Sequence, residues 1–154
     1  MVSAYAIRKL LEAEKLPDSI ASSKIRVMSY PLIERVPDSA TWDRIDKHYD
    51  FTSEEVQTLD LDKLCNQFIH SFIWMRESDM ERKRLVGIFV ASDWARKTCL
   101  YRVDIESLIR LYRDVGLEEV ASLHRRRDEF GQWEYVSKLT ADEVENGASD
   151  DRVY

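Results

Sequence analysis

Two runs constrain this chain most: LVGIFVAS at 85–92 and TCLYRVD at 98–104. Both are rich in β-branched and aromatic residues, which suit the pleated, half-buried surface of a sheet, and the short segment DWARK separates them. They predict an antiparallel hairpin with a longer loop and exclude an all-helical fold. Directly afterwards Asp104 offers an N-cap for IESLIRLYRDV, and Gly116 is expected to stop that helix in the left-handed conformation. Farther on, VASLHRR and QWEYVSK flank DEFG, where Gly131 supplies turn chemistry for a second hairpin. A helix over residues 117–126 is the alternative there.

The N-terminal half reads differently. Ala4, Ile7, Leu10 and Leu11 recur at helical spacing up to Pro17, and Asp18 or Ser19 can cap a second helix. Ile25, Met28, Leu32, Ile33 and Val36 keep that rhythm through Pro31, where the missing backbone donor predicts a kink or two short helices; a strand from Ile25 to Tyr30 is the rival reading. Asp38 or Ser39 can begin a helix carrying Trp42, Ile45 and Tyr49, and Thr52-Ser53-Glu54-Glu55 reads as a capping box. Leu61, Leu64, Cys65, Phe68, Ile69 and Phe72 then fall at steps of three and four, a helical stripe. The expected fold is α+β. N-terminal helices, to about Trp74, pack on a C-terminal antiparallel sheet of about four strands, with the helix from Ile105 to Val115 against one face. Leu64, Phe68, Ile69, Phe72, Phe89, Leu108 and Ile109 are the expected core. Residues 1–139 form one domain and 140–154 an acidic, flexible tail.

Charge and cysteine content narrow the function classes. The net charge of −6 is uneven: residues 1–75 carry −3, 76–138 carry +1 and 139–154 carry −4. That balance argues against a dedicated duplex-DNA binder, whose domain is usually clearly basic. Cys65 and Cys99 are the only cysteines. With no basic-then-apolar leader and no apolar run of about 18 residues, they point to a reducing, cytoplasmic setting without membrane insertion. Glycines too scattered to cradle a phosphate, and three histidines (His48, His70, His124) away from zinc-ligand spacing, give the expectation of no cofactor and no metal.

Three candidate sites remain. In LCNQFIHSFIW, Asn66 and His70 lie one helical turn apart with Lys63 nearby. A polar residue, then histidine and an apolar run, resembles the motif helix of HEPN-domain ribonucleases, and the resemblance implies attack on an RNA phosphodiester by His70. The family pairs this histidine with an arginine five to seven positions earlier. Lys63 is the cation in that window here, a point charge without the planar fork of a guanidinium. The alternative makes His70 structural, its ring bonding a buried backbone or loop group. The second candidate is a cationic face. Arg82-Lys83-Arg84 and Arg125-Arg126-Arg127, joined by Arg96, Lys97 and Arg102 if the hairpins lie side by side, would flank Trp94 and Trp133 as stacking surfaces for a single-stranded nucleic acid. The third is a protein-docking surface using loop aromatics such as Trp94 and Phe130. This last reading leads: a small non-enzymatic protein that binds another protein, an inhibitor, antitoxin or immunity-like partner of a basic protein being one possibility.

Overall fold

In the computed structural model, residues 2–118 and 120–146 are described. The fold is α+β: helices pack on an antiparallel five-stranded sheet, and a separate two-stranded hairpin follows. In chain order the elements are α1 Val2–Glu12, α2 Asp18–Ala21, β1 Lys24–Pro31, α3 Ile45–His48, β2 Glu55–Asp60, α4 Leu61–Ile69, β3 Ser71–Asp79, β4 Arg84–Ser92, β5 Cys99–Asp104, α5 Ile105–Leu117, β6 Ser122–Arg127, β7 Trp133–Leu139 and α6 Ala141–Glu145. The large sheet runs β2-β1-β5-β4-β3, every neighbouring pair antiparallel. Among the described residues no helix is long and apolar enough to cross a membrane.

Two cores sit on opposite faces of this sheet. On one face Ile25 and Val27 of β1, Leu59 of β2, Ile88 and Val90 of β4 and Val103 of β5 meet Ala4 and Ile7 of α1, Leu61, Leu64 and Phe68 of α4, and Leu108 and Leu111 of α5. Register places Ile25 opposite Leu59 and Ile88 opposite Val103, so the apolar row is continuous across strands. On the other face Tyr30, Tyr49, Ile73, Ala91 and Leu100 form a smaller cluster, roofed by the 32–54 segment. There the Tyr49 hydroxyl donates to the Arg96 carbonyl at 2.9 Å, and rings of Tyr30, Phe51 and Phe89 pack at 4.6–6.1 Å.

Several expectations of the N-terminal half give way. Residues 24–31 form a strand: Ile25 and Val27 alternate inward, and the rival reading of a strand from Ile25 to Tyr30 is the one found. Thr52 and Ser53 do not cap a helix. Both hydroxyls and the Thr52 amide donate to Asp50, holding its carboxyl down at about 2, and Glu55 opens β2. The stripe from Leu61 stops at Ile69, so Phe72 and Trp74 belong to β3; Phe72 packs into the second cluster. Leu64, Phe68 and Leu108 are buried as expected, whereas Ile69, Phe72 and Phe89 are half-buried and Ile109 is 44% exposed. Gly116 lies inside α5, and among the described residues the glycine with positive φ (76°) is Gly131. Thr140 is buried and caps α6 in a capping box with Glu143; residues 147–154 of the expected tail lie outside the described residues.

Gly87 shows how closely β4 is spanned. Arg102 on β5 reaches over it to Glu77 on β3, Nε to Oε2 at 2.6 Å. A Cβ on Gly87 would sit 2.5 Å from that oxygen. Gly87→Ala should therefore re-aim the carboxylate, the far end of a flexible side chain, and change stability by no more than about 1 kcal/mol. Urea denaturation checks this; a loss well beyond that would show that the carboxylate cannot move aside.

Candidate functional site

The chain after α5 builds β6 and β7, which pair with each other and with no strand of the large sheet. The turn is local chemistry. Asp128 accepts from the amides of Phe130 and Gln132 at 2.9 and 2.8 Å, the Asp128 carbonyl accepts from Gly131, and Gly131 takes the left-handed conformation that closes the loop. Register sets Arg125 opposite Tyr135, Arg126 opposite Glu134 and Arg127 opposite Trp133, with a bulge after His124.

Because side chains alternate along a strand, the two faces of this hairpin differ. On one, the Arg125 guanidinium lies 4.7 Å from the Tyr135 ring centre and that of Arg127 5.0 Å from Trp133. The bulge brings Lys138 to the same side, 5.7 Å from Tyr135. On the other face Arg126 pairs with Glu134 at 3.7 Å. Among the described residues Arg125 and Arg127 have no carboxylate partner. Trp133 is 62% exposed and Phe130, at the turn, 81%. The hairpin is tied to the body at its base, on the β7 side. Asp18 of α2 accepts from the Lys138 amide at 2.9 Å and faces its ammonium at 3.7 Å. Higher on that side, Glu14, Asp128, Gln132, Trp133, Glu134 and Tyr135 line an open cleft of about 510 Å³.

The Asn66–His70 pair forms a second site. His70 is the residue after α4, its amide donating to the Asn66 carbonyl at 3.0 Å and its carbonyl accepting from Asp93 at 3.2 Å. The expected structural ring bond is not found. The side chain is exposed, and its ring makes no hydrogen bond to the described residues. Asn66 is held instead by Arg8 of α1, whose guanidinium donates to its Oδ1 and also pairs with Glu12. Lys63 pairs with Asp60 at 2.8 Å. Asn66, Gln67, His70, Ser92, Asp93 and Trp94 line an open cleft of about 490 Å³. Gln67 Oε1 accepts from the Ser92 amide at 3.0 Å and Trp94 projects, 81% exposed, with Lys97 over its ring.

The continuous cationic face is not assembled. Arg96 stacks 3.9 Å over Phe72, gives Nε and Nη2 to Asp93 at 2.9 and 2.8 Å and Nη1 to the Pro37 carbonyl, so it locks the roof of the second core. Arg102 is committed to Glu77. Arg82 leans on Asp79 in the β3–β4 turn, part of a different sheet from Arg125 to Arg127. Sequence reasoning brought Arg125, Arg126, Arg127, Trp133 and Phe130 into one hairpin but missed Tyr135, Lys138 and Asp18. Counting back from the DEFG turn would have put Arg127 across from Trp133; nothing in the sequence signals Asp18, 120 positions from Lys138. Among the described residues no group of three His, Cys, Asp or Glu is placed to hold a metal ion. Compared with family models, curated proteins and solved structures, the chain has no significant match.

The structural histidine is His48. It is 7% exposed, and its Nδ1, 2.7 Å from the Arg35 carbonyl, must carry the proton because a carbonyl only accepts. His48→Ala should cost about 1–3 kcal/mol in urea denaturation, the range for a buried bond left unmade. His70→Ala should stay within about 0.5 kcal/mol, as for most exposed positions. The opposite order would mean that His70 is turned inward. Burial also pushes the Cys65 thiol up to about 11, so Cys65 should react with a thiol-specific disulfide reagent only on unfolding, after the half-buried Cys99. Equal rates for the two would contradict that burial.

Proposed function

We propose that this chain is a non-enzymatic protein-binding module and that the β6–β7 hairpin is its docking element. The observation that carries the reading is the gathering of exposed Trp133, Phe130 and Tyr135 on a hairpin outside the main sheet, with two arginines that have no carboxylate partner among the described residues. Aromatic and arginine side chains are the residue types that dominate binding energy at protein interfaces, since they bury much area at low conformational cost. An isolated two-stranded ribbon is only marginally stable in water, and this one is held mainly at its base, so its exposed face is not needed to complete a core.

The two rival readings have weaker support. A nucleic-acid platform needs a continuous field, yet Arg96 and Arg102 are satisfied within the fold and Asp128, Glu129 and Glu134 interleave with the hairpin bases. A ribonuclease centred on His70 needs a cation poised beside the ring, and Lys63 is paired with Asp60 while Arg8 is spent on Asn66 and Glu12.

The test is affinity capture from native lysate with and without nuclease. The intact chain should retain a protein that resists nuclease treatment. A Phe130→Ala and Trp133→Ala double variant should lose it while keeping its urea midpoint nearly unchanged, because both side chains are largely outside the core. Release of the captured material by nuclease, or undiminished capture by the double variant, would overturn the assignment.

A further inference from the structure

We propose that the open cleft at the β3–β4 turn binds the phosphate group of a small organic molecule, gripped by Arg76, Lys83 and Arg84. This site belongs to the large sheet and does not rest on the β6–β7 hairpin being a docking element.

The cleft measures about 520 Å³, a volume typical of small-molecule sites, and all three cations line it. Among the described residues none of their side chains makes a hydrogen bond, ion pair or ring contact. Other arginines of this sheet are spent: Arg102 on Glu77 and Arg96 on Asp93. The acid at the cleft, Asp79, does not neutralise the three. Its Oδ1 accepts from the amides of Glu81 and Arg82, each at 3.0 Å, and its Oδ2 faces the Arg82 guanidinium at 3.7 Å. Glu81 is exposed in the turn and is not part of the lining.

The backbone here does more than close a hairpin. Glu77 pairs with Gly87 but Ser78 with Leu85, and the extra residue, Val86, re-aims the side chains that follow. Lys83 has φ 50°, a left-handed conformation that glycine or asparagine adopts at less cost. Residues held in such costly conformations cluster at functional sites, and this one sets an ammonium on the same cleft as two guanidiniums. A guanidinium offers a fork of N–H donors that meets two phosphate oxygens at once, whereas an ammonium adds a point charge. Two forks and one ammonium suit a phosphate monoester, which carries about two negative charges at neutral pH, better than a singly charged carboxylate. Ser78 brings a hydroxyl donor to the same lining. Met80, 84% exposed, and Leu85 supply apolar contact for the organic part of the ligand. A nucleic-acid strand fits less well, because it needs cations along a track and the neighbouring Arg82 and Arg102 are already spent on Asp79 and Glu77.

The experiment titrates the isotope-labelled full chain with phenyl phosphate, inorganic phosphate, benzoate and phenol while backbone amide resonances are followed by NMR. Phenyl phosphate should bind saturably and shift amides within residues 76–85. Inorganic phosphate and benzoate should each bind several-fold more weakly, and phenol should not bind. Arg76→Gln with Arg84→Gln should weaken phenyl phosphate roughly tenfold or more, the scale of losing charge-assisted contacts. Lys83→Asn should weaken it several-fold with no fall in the urea midpoint, since asparagine tolerates the left-handed position; a merely misfolded turn would lower both. Lys15→Gln, which removes an exposed cation outside the cleft, should bind within about twofold of the parent. Phenyl phosphate that leaves those amides unmoved, benzoate that binds as tightly, or a Lys15→Gln effect as large as the double variant's would each overturn the proposal. So would tighter binding of a short oligouridine, or of vesicles of equimolar phosphatidylcholine and phosphatidylserine, that the double variant loses, because the turn would then serve nucleic acid or a membrane surface.

Discussion

The burial of α4 against the sheet is the constraint on which the rest depends. Leu61, Leu64 and Phe68 are nearly free of solvent and meet Ile7 of α1 on one side and Val27, Ile88 and Val90 of the strands on the other. With apolar burial worth about 25 cal/mol per Å², three such side chains and their neighbours supply much of what holds helix and sheet layers together. That single placement also fixes the direction of β3, because only one residue, His70, separates helix from strand. It delivers Asn66 to Arg8, and it commits the far face of the sheet to the Tyr49 and Arg96 roof.

How much of this was legible follows from how local each cause is. The hairpin of β4 and β5, helix α5 and the β6–β7 hairpin are written in runs of β-branched residues bounded by Asp104, Asp128 and Gly131, whose caps and turns form within a few residues. Strand β1 is harder to read. It alternates exposed and buried only through Val27; beyond it Ser29 and Tyr30 are buried on opposite faces, so the polar side does not persist through KIRVMSYP, and Ile25, Met28 and Leu32 imitate a helix. Strand β2 buries only Leu59 and follows a segment whose Thr52 and Ser53 bond backward to Asp50, which looks like a helix start when only residue types are compared. The end of α4 carries no glycine or proline, and Phe72 continues the helical step, so sequence periodicity runs through a boundary set by tertiary packing.

The site was legible in its parts and not in its arrangement. Arg125, Arg126 and Arg127 are adjacent in sequence yet divide between two faces, and their chemistry differs accordingly: one is paired to an acid and two lie on rings. Arg96 had the same apparent claim to a surface role and instead bridges Asp93, Phe72 and Pro37. Composition assigns charge to a side chain, whereas the partner that meets it is decided by strand register and by contacts as far apart as residues 37 and 96.

Strand β3 closes one side of the large sheet, and its pairing with β4 is interrupted twice, between Ser71 and Ile73 and between Glu77 and Ser78. Each bulge adds twist and throws the outer backbone row out of line, and Arg76, Glu77 and Asp79 place charge along it. A second copy of the chain therefore meets an irregular, charged rim where a flat one would let sheets zip together. On this side the large sheet resists the templated self-association from which fibres grow.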